Sequence, residues 1–173
     1  MVLVCPECKA ENILGADLCE NCGADLRDLA LPRADSEFEE HLISDRLSEL
    51  GASEAIGVSP GDPVALAVHV MRRNGAECVL AKEGERIVGI LTERDVLMKA
   101  AGEKVDLNAL AVRDIMTPDP VMLREEDTLA VALHKMSIGG FRHIPFVSEG
   151  QTTLLVSAQD VFRHVARFIH LNE

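Results

Sequence analysis

The chain has 173 residues, 47% of them hydrophobic but only 3% aromatic and none Trp or Tyr, so its core has to be built from Val, Leu, Ile, Ala and Met. That length leaves room for one domain of ordinary size and something small beside it. The formal net charge of −12 divides as −4 on residues 1–29, −5 on 30–55 and −3 on 56–173, and a surface of that sign lacks the electrostatic footprint of nucleic-acid binding.

The chain opens with two C-x-x-C pairs, Cys5/Cys8 and Cys19/Cys22, separated by ten residues. The apolar runs fall far short of the ~18 residues a membrane-spanning helix needs. The start Met1-Val2-Leu3-Val4-Cys5 lacks the charged and long apolar regions of a secretory signal. Paired cysteines in such a chain read as metal ligands rather than disulfides and predict a reducing, cytoplasmic setting. Each pair forms a knuckle, and two knuckles complete a tetrahedral four-sulfur site with no open position, so the metal is structural. Gly23 permits the positive φ wanted after a knuckle's second ligand. Residues 1–29 resemble the zinc ribbon family. Iron is the competing metal, but a redox iron site wants aromatic wrapping and this stretch has none. So small a module has too little core to fold without its metal.

Residues 30–55 follow as linker and helix. The stretch from Asp28 to Asp35 carries Pro32 and no periodicity. Ser36 and Glu39 form a capping box. Phe38, Leu42, Ile43, Leu47 and Leu50 then trace one apolar stripe, with Gly51 as its stop.

From Ile56 to the C-terminus the sequence repeats itself without a gap. An offset of 65 pairs Asp62 with Asp127, Ala67 with Ala132, Met71 with Met136 and Gly75 with Gly140. Each copy reads as strand, helix, strand, strand, helix, the first over 56–101 and the second over 112–173. In the first, Ile56 to Val58 is a strand, Asp62-Pro63 caps a helix to about Arg73, and strands Cys78 to Ala81 and Ile87 to Leu91 precede a helix opened by Thr92. In the second the elements are Pro120 to Leu123, Thr128 to Ile138, His143 to Val147, Thr153 to Val156 and Asp160 to Leu171. The expected fold is α/β, with two pseudo-symmetric repeats behind the ribbon.

The chemistry of the repeat lies where Gly89-Ile90-Leu91-Thr92-Glu93-Arg94-Asp95 recurs as Leu154-Leu155-Val156-Ser157-Ala158-Gln159-Asp160. Thr92 and Ser157 stand at strand-to-helix junctions, with Asp95 and Asp160 in the first helical turn. A helix N-terminus attracts phosphate, and a carboxylate beside it can accept both hydroxyls of a ribose. The same residues would also serve as plain capping boxes, each hydroxyl and acid satisfying the other's backbone amide.

The runs Val112-Arg113-Asp114-Ile115-Met116-Thr117-Pro118, Thr128 to Met136 and Gly140-Phe141-Arg142-His143-Ile144-Pro145 resemble the CBS domain, and residues 56–173 as a whole resemble a tandem CBS pair, or Bateman module. The resemblance implies a non-catalytic regulatory sensor with two clefts for adenosine ligands such as AMP, ADP, ATP, NAD or S-adenosylmethionine. It implies that Thr92, Asp95, Ser157 and Asp160 contact phosphate and ribose, that Arg142 and His143 reach phosphates, and that Thr117-Pro118 contacts the base, with Ile56-Gly57 as its counterpart in repeat one. Repeat one has Glu77-Cys78 at the register of the basic pair, and an acid disfavours a phosphate. A nucleotide is therefore expected chiefly with Ser157, Asp160, Arg142 and His143, and weaker binding or a less anionic ligand with Thr92 and Asp95.

No nucleophile-base pair, open metal site or phosphate loop with Lys accompanies these motifs, so an enzyme is not expected. The ribbon is expected to contact a protein partner. The alternative, a transcription- or RNA-associated factor acting through the ribbon, meets only Lys9 and Arg27 against six acids in residues 1–29. The apolar helix near residues 63–73 has more surface than one sheet covers, so a homodimer through the repeat helices is expected.

Overall fold

The computed structural model describes residues 2–13, 18–24, 26, 36–100, 105–148 and 152–169. The tail expected to continue as helix to Leu171 lies partly outside these. The first cysteine pair sits between β1 (Val2–Val4) and β2 (Glu11–Ile13), an antiparallel ribbon. Helix α1 spans Glu37–Ser44 and is capped by Ser36, whose Oγ accepts the Glu39 N–H at 3.2 Å.

The helix expected to run on to Leu50 stops at Ser44. Asp45 turns extended, its carbonyl accepts the Leu129 N–H at 3.0 Å, and its carboxylate is held by His41 at 2.9 Å and His164 at 2.6 Å. A 3₁₀ turn, Leu47–Glu49, then drops Leu47 and Leu50 into the core of the second repeat. The spacing of the apolar stripe suits the broken path as well as a continuous helix, and the carboxylate's partners decide between them.

Beyond that turn the order is β3 (Ser53–Glu54), β4 (Gly57–Val58), α2 (Val64–Asn74), β5 (Cys78–Glu83), β6 (Arg86–Thr92), α3 (Glu93–Ala100), α4 (Val112–Ile115), β7 (Thr117–Pro118), β8 (Leu123–Arg124), α5 (Leu129–Gly139), β9 (His143–Val147), β10 (Thr153–Ser157), α6 (Ala158–Val165) and a 3₁₀ turn Ala166–Phe168. These form two four-stranded sheets, β4-β5-β6-β7 and β3-β10-β9-β8. In each, a parallel pair is joined by a crossover helix and followed by an antiparallel hairpin. Gly84, at φ +62°, makes the hairpin turn of the first sheet.

The fourth strand of each sheet is borrowed. β7, from the segment that opens the second repeat, pairs with β6 of the first, and β3 pairs with β10. Of the strand expected over Pro120 to Leu123 only Leu123 is extended in a sheet, as the start of β8, while β7 just ahead of it pairs in the other sheet. Pro118 and Pro120 lack an N–H to continue a ladder, and Asp119 between them, at φ +45°, turns the chain from one sheet to the next.

The exchange is symmetric down to single hydrogen bonds. Leu47 N–H donates to Asp127 O and Val112 N–H to Asp62 O, both at 2.9 Å; Ser48 bonds Glu125 O at 3.0 Å and Arg113 bonds Pro60 O at 2.9 Å. The repeat relation therefore reaches back to Arg46, ahead of the motif block at Ile56. Asp62 does not cap α2. Its Oδ2 accepts the Ser59 N–H at 2.8 Å, as Asp127 does from Arg124 at 2.8 Å, and each acid closes a turn ahead of its helix.

Each repeat has its own core, completed by the other's leading segment. Leu47 and Leu50 join Leu129, Ile144, Phe146 and Val156; Val112 and Ile115 join Val64, Met71, Val79 and Leu91. Volume is also traded between the halves. At Gly89 a side chain would collide with the Met116 thioether. The second repeat has Leu154 at that register, and the residue preceding its borrowed strand is Ala52, so large and small have changed places. No helix among the described residues is long and apolar enough to cross a membrane.

Candidate functional site

The four N-terminal cysteines converge. Their sulfurs lie within 4.8 Å of one another, with Cys5 to Cys22 at 3.6 Å and Cys8 to Cys19 at 3.5 Å. Four thiolates around one tetrahedral ion at ~2.3 Å would stand about 3.8 Å apart, so the cage fits a zinc-sized ion. The two knuckles match: Lys9 N–H bonds Cys5 O at 2.9 Å and Gly23 N–H bonds Cys19 O at 2.8 Å, with positive φ at Lys9 (63°) and Gly23 (72°). The buried Asn12 ties them together, donating to Ala10 O at 3.0 Å and to the Cys19 sulfur at 3.6 Å and accepting from Glu20 N–H at 3.0 Å. The Cys22 N–H does most to lower the Cys19 thiol, to about 6. At Cys22 the Ala24 N–H pulls down, but hydrogen bonding with Cys8, burial, and the thiols of Cys5 and Cys19 push the group up to about 12. Without a cation the cage cannot carry four negative sulfurs, which is the electrostatic demand a divalent ion answers.

A cleft of about 590 Å³ opens where the two repeats meet. Repeat one supplies Glu77, Ile90, Thr92, Glu93, Arg94 and Asp95, with Leu97 and Met98 from α3. The segment around β7 supplies Thr117, Asp119, Pro120 and Val121, and repeat two supplies Gly139 to His143. The cleft thus has an apolar wall, a hydroxyl-acid pair at the start of α3 and a basic pair facing it.

Both hydroxyl-acid motifs are built as capping boxes. Thr92 Oγ1 donates to Asp95 Oδ2 at 2.7 Å while the Asp95 N–H returns to Oγ1 at 3.2 Å; Ser157 and Asp160 repeat this at 2.6 and 3.2 Å. Each box uses one carboxylate oxygen. Asp95 Oδ1 pairs with Lys99 Nζ at 2.9 Å, and Lys99 also donates to Ile115 O at 2.8 Å. Among the described residues Asp160 Oδ1 has only Arg163, at 3.5 Å. Burial raises the Asp95 carboxyl, but the Thr92 hydroxyl, Lys99 and the Thr92 N–H outweigh it, holding the group below the usual carboxylate range.

Two expected groupings change. Arg142 and His143 line the cleft with Thr92, Asp95 and Thr117, which Ser157 and Asp160 do not line. Along the sheet Arg142 and Ser157 are neighbours, Arg142 O accepting from Ala158 N–H at 3.0 Å. The side chains, however, cross the repeat interface, and His143 Nε2 lies 2.9 Å from Glu77 Oε2. Nor is Ile56-Gly57 the counterpart of Thr117-Pro118. Thr117 pairs with Ile90 and Pro118 with Gly89, and the strand that pairs in the same way with Leu155 and Leu154 is Ser53-Glu54. Ile56 and Gly57 belong to the opposite edge, Gly57 beside Leu80. Sequence spacing gave no sign of Leu97, Met98, Asp119 or Phe141 at the cleft, since their contribution depends on the strand exchange. Cys78 is buried, its thiol pushed up to about 12, first by burial and then by the Glu77 charge, and is chemically quiet.

The CBS domain family's profile matches residues 47–102 and 112–167, two spans set 65 apart like the hydrogen-bond pairs above. The CBS domain-containing protein CBSCBSPB3 of Arabidopsis thaliana is 36% identical over 92 residues, 53% of this chain but only 16% of that much longer protein. Among solved structures, one CBS domain crystal structure is 26% identical with a TM-score of 0.63, covering 74% of this chain and 97% of its own. A CBS domain protein from Pyrobaculum aerophilum complexed with AMP is 21% identical, with a TM-score of 0.60 over 70% of this chain and 98% of that one. From the paired profile matches and the two sheets that exchange their fourth strands, the chain belongs to the CBS domain family.

Proposed function

We propose that the protein is a non-catalytic regulatory module that binds an adenosine-type ligand, AMP foremost, in the cleft of Thr92 and Asp95. The observation that carries this reading is the meeting of that pair with Arg142, beside His143, in one lining, which gives the cleft carboxylate acceptors for a ribose and a guanidinium donor for a phosphate. The apolar wall of Ile90, Met98 and Val121 offers a purine a dry face. The AMP complex of the Pyrobaculum protein supports the ligand class. In this reading the ribbon holds one zinc and presents an acidic, metal-stiffened surface to a protein partner.

Calorimetry with AMP tests the site. Loss of a charge-assisted contact removes roughly 1.5–3 kcal/mol, about one to two decades of affinity. Asp95→Ala should therefore weaken AMP binding by that much, and Asp160→Ala should leave most of it. The reverse order would move the ligand to the other motif, and no heat from the unaltered protein would leave both motifs as helix caps.

We also propose that two copies pair through the repeat helices. Leu66 and Val131, and Leu97 and Phe162, are exposed apolar residues set 65 apart on α2 and α5 and on α3 and α6. A pseudo-twofold apolar pattern of this kind suits a closed twofold dimer, which would cover it in one step. Light scattering at micromolar concentration should give twice the chain mass of 18.8 kDa; a monomer would refute the pairing.

A further inference from the structure

We propose that Glu77 sets the charge limit of the cleft, admitting adenosyl ligands with at most one phosphate and turning polyphosphates away; this rests on the adenosine reading above. Glu77 is the residue that repeat one has where repeat two has Arg142, and Cys78 stands where repeat two has His143. The pseudo-twofold axis brings these positions face to face, so the acid of one repeat lands on the base of the other. Glu77 Oε2 lies 2.9 Å from His143 Nε2, with the Glu77 side chain 57% exposed and the His143 side chain 10% exposed. The carboxylate therefore stands at the mouth and the imidazole behind it. An incoming phosphate meets negative charge first, and the histidine's outward nitrogen is already engaged.

The rest of the lining points the same way. Glu93, Asp95 and Asp119 add three carboxylates, of which, among the described residues, only Asp95 has a lysine partner, and the arginines in the lining are Arg94 and Arg142. Two guanidiniums can meet one phosphate group, whose charge near neutral pH is about −1.5 to −2. Each further phosphate would sit among uncompensated carboxylates, where like charges repel.

The Glu77→Gln variant isolates the charge, because the amide oxygen can still accept from His143 and the shape is kept. Adenosine, AMP and ATP would be titrated calorimetrically into the unaltered protein and the variant. The unaltered protein should bind AMP at least as tightly as ATP. In the variant adenosine should change less than about twofold, AMP should gain about threefold and ATP about tenfold, a graded gain of the size one nearby charge gives in a half-exposed site. A gain that grows with phosphate number cannot come from a damaged fold. A uniform change across the three, or a loss, would overturn the proposal. Tighter binding of ATP than of AMP by the unaltered protein would overturn it while leaving the adenosine reading intact. Silence from both proteins with all three compounds would overturn both.

Discussion

Chelation should melt the ribbon and leave the paired repeats untouched. Among the described residues the ribbon's apolar cluster consists of Cys5, Cys19 and Leu26, with Cys8, Ala10 and Ala24 partly buried around them, so half of that cluster is made of the caged cysteines. Apolar contact on that scale cannot offset the conformational entropy of the segment. A structural zinc contributes about 10–16 kcal/mol in modules of this kind, so a bound metal would supply most of the segment's stability. The repeats have separate cores with no cysteine ligand in them. Cys19→Ser should accordingly release one metal per chain by elemental analysis and expose residues 1–29 to protease, with the main thermal transition unshifted. Absence of zinc and iron from the purified protein would end the metal reading. A chelator that unfolds the whole chain would end the idea that ribbon and repeats are independently stable.

A large loss of stability should also come from Asp45→Ala. Asp45 is only 8% exposed, and its carboxylate accepts from His164 at 2.6 Å, from His41 at 2.9 Å and from Ser44 Oγ at 3.2 Å. His41 stacks on Phe168 with ring centroids 3.3 Å apart, and Arg167 Nη2 lies 2.7 Å from His164 Nδ1, so one carboxylate ties α1 to the end of α6. Removing it strands two imidazoles in a half-buried site, and the loss should be about 3 kcal/mol by urea denaturation. Burial pushes the Asp45 carboxyl up, yet His164 and His41 outweigh burial and hold it below the usual range. A depressed carboxyl contributes stability that is present above its unfolded value, about 3.9, and is lost as pH falls through the lower folded value. The unaltered protein should thus lose more stability than Asp45→Ala on acidification below pH ~4, so that the two denaturation curves converge. Equal stability of the two proteins at neutral pH would show that the cluster contributes nothing.

What could be read from the sequence was whatever repeats or sits close along the chain. The gap-free offset exposed two equal halves and paired Gly75 with Gly140, which end α2 and α5 in left-handed backbone at φ 62° and 67°, and two C-x-x-C pairs foretold a sulfur cage. What lay between distant segments could not be read. β3 and β7 are two residues each, too short to carry a period, and which sheet they join depends on register across about a hundred residues in one case. That blind spot is why Arg142 was grouped with Ser157, its neighbour along the sheet, and why Ile56-Gly57 was matched to Thr117-Pro118 by position in the repeat when Ser53-Glu54 holds that place. The apolar stripe through Leu50 was real, but local spacing could not show that Asp45 finds its partners on α6.

The borrowed strands also fix an order of events during synthesis. Sheet β4-β5-β6-β7 has all its strands once Pro118 has left the ribosome, whereas Ser53, the start of β3, pairs with Leu155 and must wait for it. Through that interval Leu47 and Leu50, both buried in the finished protein, have no core to enter, because the residues they pack on include Ile144, Phe146 and Val156. Closing so long a loop is slow, and greasy segments left waiting are what chaperones bind. In the nascent chain the apolar stretch near residue 50 should therefore stay exposed until residue 157 has left the ribosome.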